Sequence, residues 1–216
     1  MAASTQRTAR TPDGRTLAIE EAGDLGGRPV LVHNGTPNSR HLYGPAAADA
    51  AARGLRLIGY DRPGYGGSTP QPGRTVADCA ADARAICAEL GIDRLAMWGF
   101  SGGGPHLLAC AALLPDLVTA AASLASLAPA GAEGLDWFDG MGQENADDFR
   151  LLTSDPQAAR DKLEKDREET LAASAADLSE LLKTLLTPTD AAALTGECAE
   201  YLTHTCLLYT SDAADE

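Results

Sequence analysis

The 216-residue chain is 44% hydrophobic and 5% aromatic, and its 31 acidic against 17 basic side chains give a formal net charge of −14. That length and apolar content suffice for one α/β domain with a sizeable core. The acidic balance serves solubility and argues against nucleic acid or an anionic membrane as partner.

From the N-terminus, Met1 to Gly14 contains no apolar h-region of a signal peptide. Pro12-Asp13-Gly14 is a turn signal before the alternating Arg15-Thr16-Leu17-Ala18-Ile19-Glu20, so a hairpin is expected near residues 5 to 22. Pro29-Val30-Leu31-Val32-His33 is a continuous apolar run, expected of a strand buried on both faces. The loop Asn34-Gly35-Thr36-Pro37-Asn38-Ser39 follows, with Asn38 or Ser39 as a candidate N-cap for an alanine-rich helix to about Arg53. Arg56-Leu57-Ile58-Gly59-Tyr60 is the next buried strand, and Asp61 to Ser68 is a glycine-rich turn.

Thr75 to Leu90 is amphipathic, with Val76, Cys79, Ala83, Ile86, Cys87 and Leu90 at helical spacing, and Gly91 stops it. Leu95 to Phe100 is a short apolar strand, and a helix runs from it to Pro115. Leu107 to Ala132, the longest apolar zone, is broken at Pro115-Asp116 and reads as a helix plus a strand over Val118 to Leu127, not a membrane span. Strands alternating with helices predict a mostly parallel, doubly wound sheet. After Gly131 the texture changes to charged helix, notably Asp161 to Glu169. Ala176 to Leu186 and Pro188 to Leu202 read as further helices. The expected division is a core over residues 1–130 and a helical cap over 131–205. The five cysteines (Cys79, Cys87, Cys110, Cys198 and Cys206) lack C-x-x-C spacing and read as free thiols of a reduced, cytoplasmic compartment. Nothing in the sequence calls for a cofactor or a metal.

The chemistry-bearing stretch is Gly99-Phe100-Ser101-Gly102-Gly103, between a strand and a helix. It fits the G-x-S-x-G elbow. Presenting a hydroxyl at the tip of a strand requires a very tight turn, strained at Ser101 and crowded two residues to either side, hence glycine there. The Gly102 N–H then faces the place where an oxyanion forms.

Two further blocks stand in the right order. Val32-His33-Asn34-Gly35-Thr36-Pro37 is similar to the H-G-x-P loop, and Tyr60-Asp61-Arg62-Pro63-Gly64-Tyr65-Gly66-Gly67-Ser68 to the D-x-P-G-x-G-x-S block, of one family. Together with the elbow they make the chain, over about Gly14 to Leu202, resemble the α/β-hydrolase superfamily. The resemblance implies Ser101 as nucleophile, with the N–H groups of Gly102 and Thr36 as the oxyanion hole. Asn34 departs from the usual histidine, but an asparagine can still hydrogen-bond the loop in place. Asp61 to Ser68 is read as structural.

A serine nucleophile needs a histidine base and an orienting carboxylate, in the order Ser, acid, His. His33 and His41 precede Ser101. His106 belongs to the elbow helix and is expected to pack. His204 follows a helix with no strand before it. Ser123 to Pro129 holds no carboxylate, and Glu133 and Asp136 fall at the cap entry. The triad acid and histidine are therefore expected outside this chain. Residues 206–216, Cys206 to Glu216, resemble a translated sequencing adapter and are expected to be a non-native tail. The chain as written is expected to be nearly inactive and to leave its sixth strand as an unpaired edge.

The leading expectation is a serine hydrolase acting on a small-molecule ester or amide. The serine disfavours the haloalkane dehalogenase and epoxide hydrolase branches. A proline-iminopeptidase-like exopeptidase, with Glu133, Asp136 or Glu144 facing a substrate amine, and a non-catalytic binding protein remain open. So does a fragment without function.

Overall fold

The computed structural model describes residues 4–172 and, beyond them, residues 177, 180, 187–193, 198, 200 and 201. Six strands form one sheet: β1 (Thr5–Arg10), β2 (Thr16–Gly23), β3 (Arg28–His33), β4 (Leu55–Tyr60), β5 (Leu95–Phe100) and β6 (Val118–Leu124). Their spatial order is β1-β2-β4-β3-β5-β6. β1 and β2 form the expected antiparallel hairpin, β2 runs antiparallel to β4, and the other neighbours are parallel. Among the described residues the helices are α1 (Gly44–Ala52), α2 (Cys79–Leu90), α3 (Gly103–Leu113), α4 (Gln143–Ser154), α5 (Pro156–Ala172) and α6 (Pro188–Ala193), with a 3₁₀ turn at Val76–Asp78 before α2.

Strand alternation divides the apolar residues between two faces. Leu31, Ile58, Leu95 and Met97 join Ile86 of α2 and Leu107 of α3 in the main core. Val32 and Leu57 turn the other way, toward Ala50 of α1 and the half-buried Trp98. Cys79 and Cys110 meet within the main core with their sulfurs 3.5 Å apart. Cys79, Cys87, Cys110 and Cys198 are free, and Cys206 lies outside the described residues.

Two boundaries differ from expectation. α1 begins at Gly44 after Tyr43, with Pro45 in its first turn, so neither Asn38 nor Ser39 caps it. Both lie in the loop instead, where their backbone groups are bonded: the Asn38 N–H closes a turn on Gly35 O, and Ser39 O accepts from the Asn34 amide. Proline presets the helical φ and needs no N–H partner in a first turn, which fixes the later start. β6 ends at Leu124, not Leu127, because Ala125 takes a left-handed φ of 45°. Most of the expected helix over Ala176 to Leu186, residues 202–205 of the cap, and the tail over 206–216 lie outside the described residues. Among the described residues, no helix is long and apolar enough to cross a membrane.

The connections set the site. From β3 the chain crosses through α1 to β4 on one side, and from β4 through α2 to β5 on the other. Direction therefore reverses around β3, and the crevice at such a switch point lies beyond the carboxyl ends of the strands.

Candidate active site

β3 and β5 are parallel neighbours, with His33 opposite Gly99. Their C-terminal ends coincide, so the loop after β3 meets the turn after β5. Ser101 sits on that turn with φ at +51°, a region that non-glycine residues rarely enter. Its N–H donates to Leu124 O at 3.1 Å, and its carbonyl accepts from the Gly104 N–H at 3.0 Å. These two bonds hold the bend between the edge strand and the first turn of α3.

The glycines are required by contact. A Cβ on Gly99 would lie 2.8 Å from Gly103 O, and one on Gly103 would collide with the carbonyl oxygens of His33 and Asn34. The G-x-S-x-G spacing is thus the imprint of backbone packed on backbone. Gly102 and Thr36 are neighbours: a Cβ on Gly102 would stand 3.2 Å from the Thr36 amide nitrogen and collide with its hydroxyl. A Cβ on Gly35 would stand 3.3 Å from that of Ser101. The structure therefore brings Ser101, Gly102 and Thr36 together at one exposed spot.

The loop bearing Thr36 is held from two sides. The Asn34 amide donates to Ser39 O at 2.6 Å and to His41 O at 3.3 Å, the loop-fixing role expected of it. From below, the buried Arg62 donates to Asn34 O, Gly35 O and the Thr36 hydroxyl. Sequence reasoning assigned Arg62 only to a structural turn. The signal it left was a cation between Asp61 and Pro63 immediately after a strand buried on both faces. The adjoining Asp61 is fully buried and accepts from the Arg40 and Gly67 N–H groups at 2.6 and 2.9 Å. A Cβ on Gly66 would strike that carboxylate. Ser68 joins Asp61 O to the Ala18 N–H. The block is structural, as expected, and through Arg62 it also braces the loop after β3.

The histidines divide clearly. His33 and His106 are buried and stacked, with ring centroids 6.4 Å apart. Burial, followed by the charges of His106 and Arg62, holds His33 down at about 3. Burial and the Arg62 charge do the same to His106, to about 3, against a bond to Gly102 O. Both rings are neutral at pH 7, and both are poor bases. His41 is bound through Nδ1 to Glu20 at 2.6 Å. Burial raises the Glu20 pKa, but the bonds from His41 and Gln6 outweigh it and leave the carboxyl below its ordinary value. Among the described residues, none hydrogen-bonds the Ser101 hydroxyl, and His204 lies outside them. Glu133, Asp136 and Glu144 are exposed. No group of three His, Cys, Asp or Glu among the described residues is arranged to hold a metal ion.

An apolar cavity of about 280 Å³ lies on the α1 side of the sheet, lined among others by Val32, Leu57, Trp98, Phe100 and Tyr201. Ser101 does not line it.

Residues 28–197 match the family model described as alpha/beta hydrolase fold. A non-heme chloroperoxidase of Streptomyces lividans is 30% identical over 145 residues, covering 66% of this chain and 52% of that protein. A proline iminopeptidase of Xanthomonas citri is 31% identical over 116 residues, covering 50% of this chain and 35% of that protein. The chain thus spans about half or less of these relatives. In fold it is similar to the epoxide hydrolase CorEH, with a TM-score of 0.71 at 20% identity over 99% of this chain and 71% of the other. A thermophilic esterase from Thermogutta terrifontis gives 0.64 at 21% identity over 98% and 70%. With the family model matched over most of its length, the chain belongs to the α/β-hydrolase-fold family.

Proposed function

We propose that the protein is a serine hydrolase that transfers the acyl group of a small ester or amide to water through an acyl-enzyme on Ser101. The observation that carries this reading is the left-handed φ of +51° at Ser101, strained backbone at a site where Gly102 and Thr36 also converge. Strain of this kind persists where the surroundings over-determine it, as at catalytic turns. In the proposed cycle the Ser101 oxygen attacks the acyl carbonyl, and the N–H groups of Gly102 and Thr36 take the charge on its oxygen. The alkoxide or amine then leaves with a proton, and water releases the acid.

Deprotonating the hydroxyl requires a base that the described histidines do not provide. We assign the base and its carboxylate to groups outside the described residues. With only binding and the oxyanion hole, a serine enzyme keeps roughly 10³-fold over water, and a chain without the base is expected to do no better. Helices α4 and α5, which pack on each other, are proposed as the cap over the acyl site. The aromatic knot of Trp137 and Phe149, with ring centroids 4.7 Å apart, steadies its entry. The proposed setting is the cytoplasm.

The test is hydrolysis of 4-nitrophenyl esters of increasing acyl length beside a prolyl anilide. In a protein that includes the base, turnover is expected on the short esters and lost in Ser101→Ala. Equal turnover in that variant overturns the reading, while preference for the prolyl anilide moves it to an exopeptidase.

A further inference from the structure

The turn after β4 sets one cation against the loop after β3. Arg62 is 3% exposed, with its guanidinium carbon 4.7 Å from the centre of the Tyr65 ring. Nη1 donates to Asn34 O at 2.6 Å; Nη2 donates to Gly35 O at 3.3 Å and to the Thr36 hydroxyl at 3.2 Å. Three consecutive residues are held by one planar fork, a geometry that lysine does not reproduce.

Peptide geometry ties this fork to the chemistry. The Gly35 carbonyl and the Thr36 N–H share one planar trans peptide and point in opposite directions. With Gly35 O drawn toward the guanidinium, the Thr36 N–H is turned away from it. A positive charge at the carbonyl end also polarises the peptide and strengthens its N–H as a donor. The contact with the Thr36 hydroxyl fixes the side chain that meets Gly102.

We infer that Arg62 is a positioning residue, which aims and polarises the Thr36 N–H toward the oxyanion of the acyl transition state. This rests on Ser101 as the nucleophile. Arg62 itself touches no substrate; it acts through the Gly35–Thr36 peptide.

The experiment pairs hydrogen exchange with Ser101 phosphonylation by a fluorophosphonate, in a protein that includes the base. In Arg62→Gln, exchange at the loop amides of Gly35, Thr36 and Asn38 is expected to quicken about tenfold or more, with β4, β5 and α3 unchanged. Phosphonylation is expected to slow by about 10²-fold. Arg62→Lys keeps the charge without the fork and is expected to restore little of either. In Arg62→Ala, millimolar guanidinium chloride but not sodium chloride is expected to restore part of the labelling rate, a response that loss of a merely structural side chain does not give. Unchanged loop exchange in Arg62→Gln overturns the inference, as does exchange that quickens evenly across the sheet or labelling that neither slows nor answers to guanidinium. If the unsubstituted protein is not phosphonylated at Ser101, the nucleophile reading falls and takes the catalytic half of this one with it. Loop exchange alone still decides whether Arg62 clamps the loop.

Discussion

One methyl group distinguishes two adjacent glycines. Gly102 has an ordinary helical φ of −58°, so alanine fits its backbone; the new Cβ meets the Thr36 side chain and comes within 3.2 Å of its amide nitrogen. Gly102→Ala is expected to keep its fold and thermal midpoint while ester turnover falls by about 10²-fold through a displaced Thr36 N–H. At Gly103 the obstacle is the backbone of His33 and Asn34, which cannot rotate aside. Gly103→Ala is expected to lose about 3 kcal/mol or more of stability, read by urea unfolding. The buried histidines give a third outcome at this scale. Their folded pKa of about 3 lies below the ordinary 6.5. The unfolded chain therefore binds more protons between those values, and stability falls as the pH drops from 6.5 toward 3. His106→Gln, which keeps a donor for Gly102 O, is expected to flatten that decline in thermal melts between pH 7 and 5. The elbow glycines were legible in the sequence because backbone collisions leave a fixed spacing. The Arg62 fork was not, since the three loop residues it holds lie some 26 to 28 residues away along the chain.

Elements follow the same division between local and distant causes. β3, β4 and β5 were legible because buried strands read as short apolar runs bounded by turn residues, and β2 because it alternates polar and apolar residues after a turn. α2 ends at Gly91, with φ at +65°, where the sequence put its stop. The start of α1 was misread because Asn38 and Ser39 have the chemistry of caps, and only the fold shows that the loop uses them elsewhere. At the end of the sheet, β6 lies in the terminal position, and from Thr119 to Leu124 it is exposed. Exposed edges of apolar residues invite pairing between chains. Sedimentation velocity is expected to show concentration-dependent association, reversed by Ala120→Lys with Ala122→Lys. A monomer at every concentration would contradict this.

At the scale of the molecule, the reversal of direction around β3 carries the loop of Thr36 and the bend of Ser101 to one place beyond the carboxyl ends of the strands. The acidic surface and the charged α5 play no part in that geometry. The most direct measurement is peptide mapping after prolonged exposure of a protein that includes the base to a fluorophosphonate. The expected result is a phosphonyl adduct on the peptide containing Ser101, formed ahead of any other serine and absent in Ser101→Ala. Modification spread evenly over surface serines, with Ser101 bare, would contradict its place as the nucleophile.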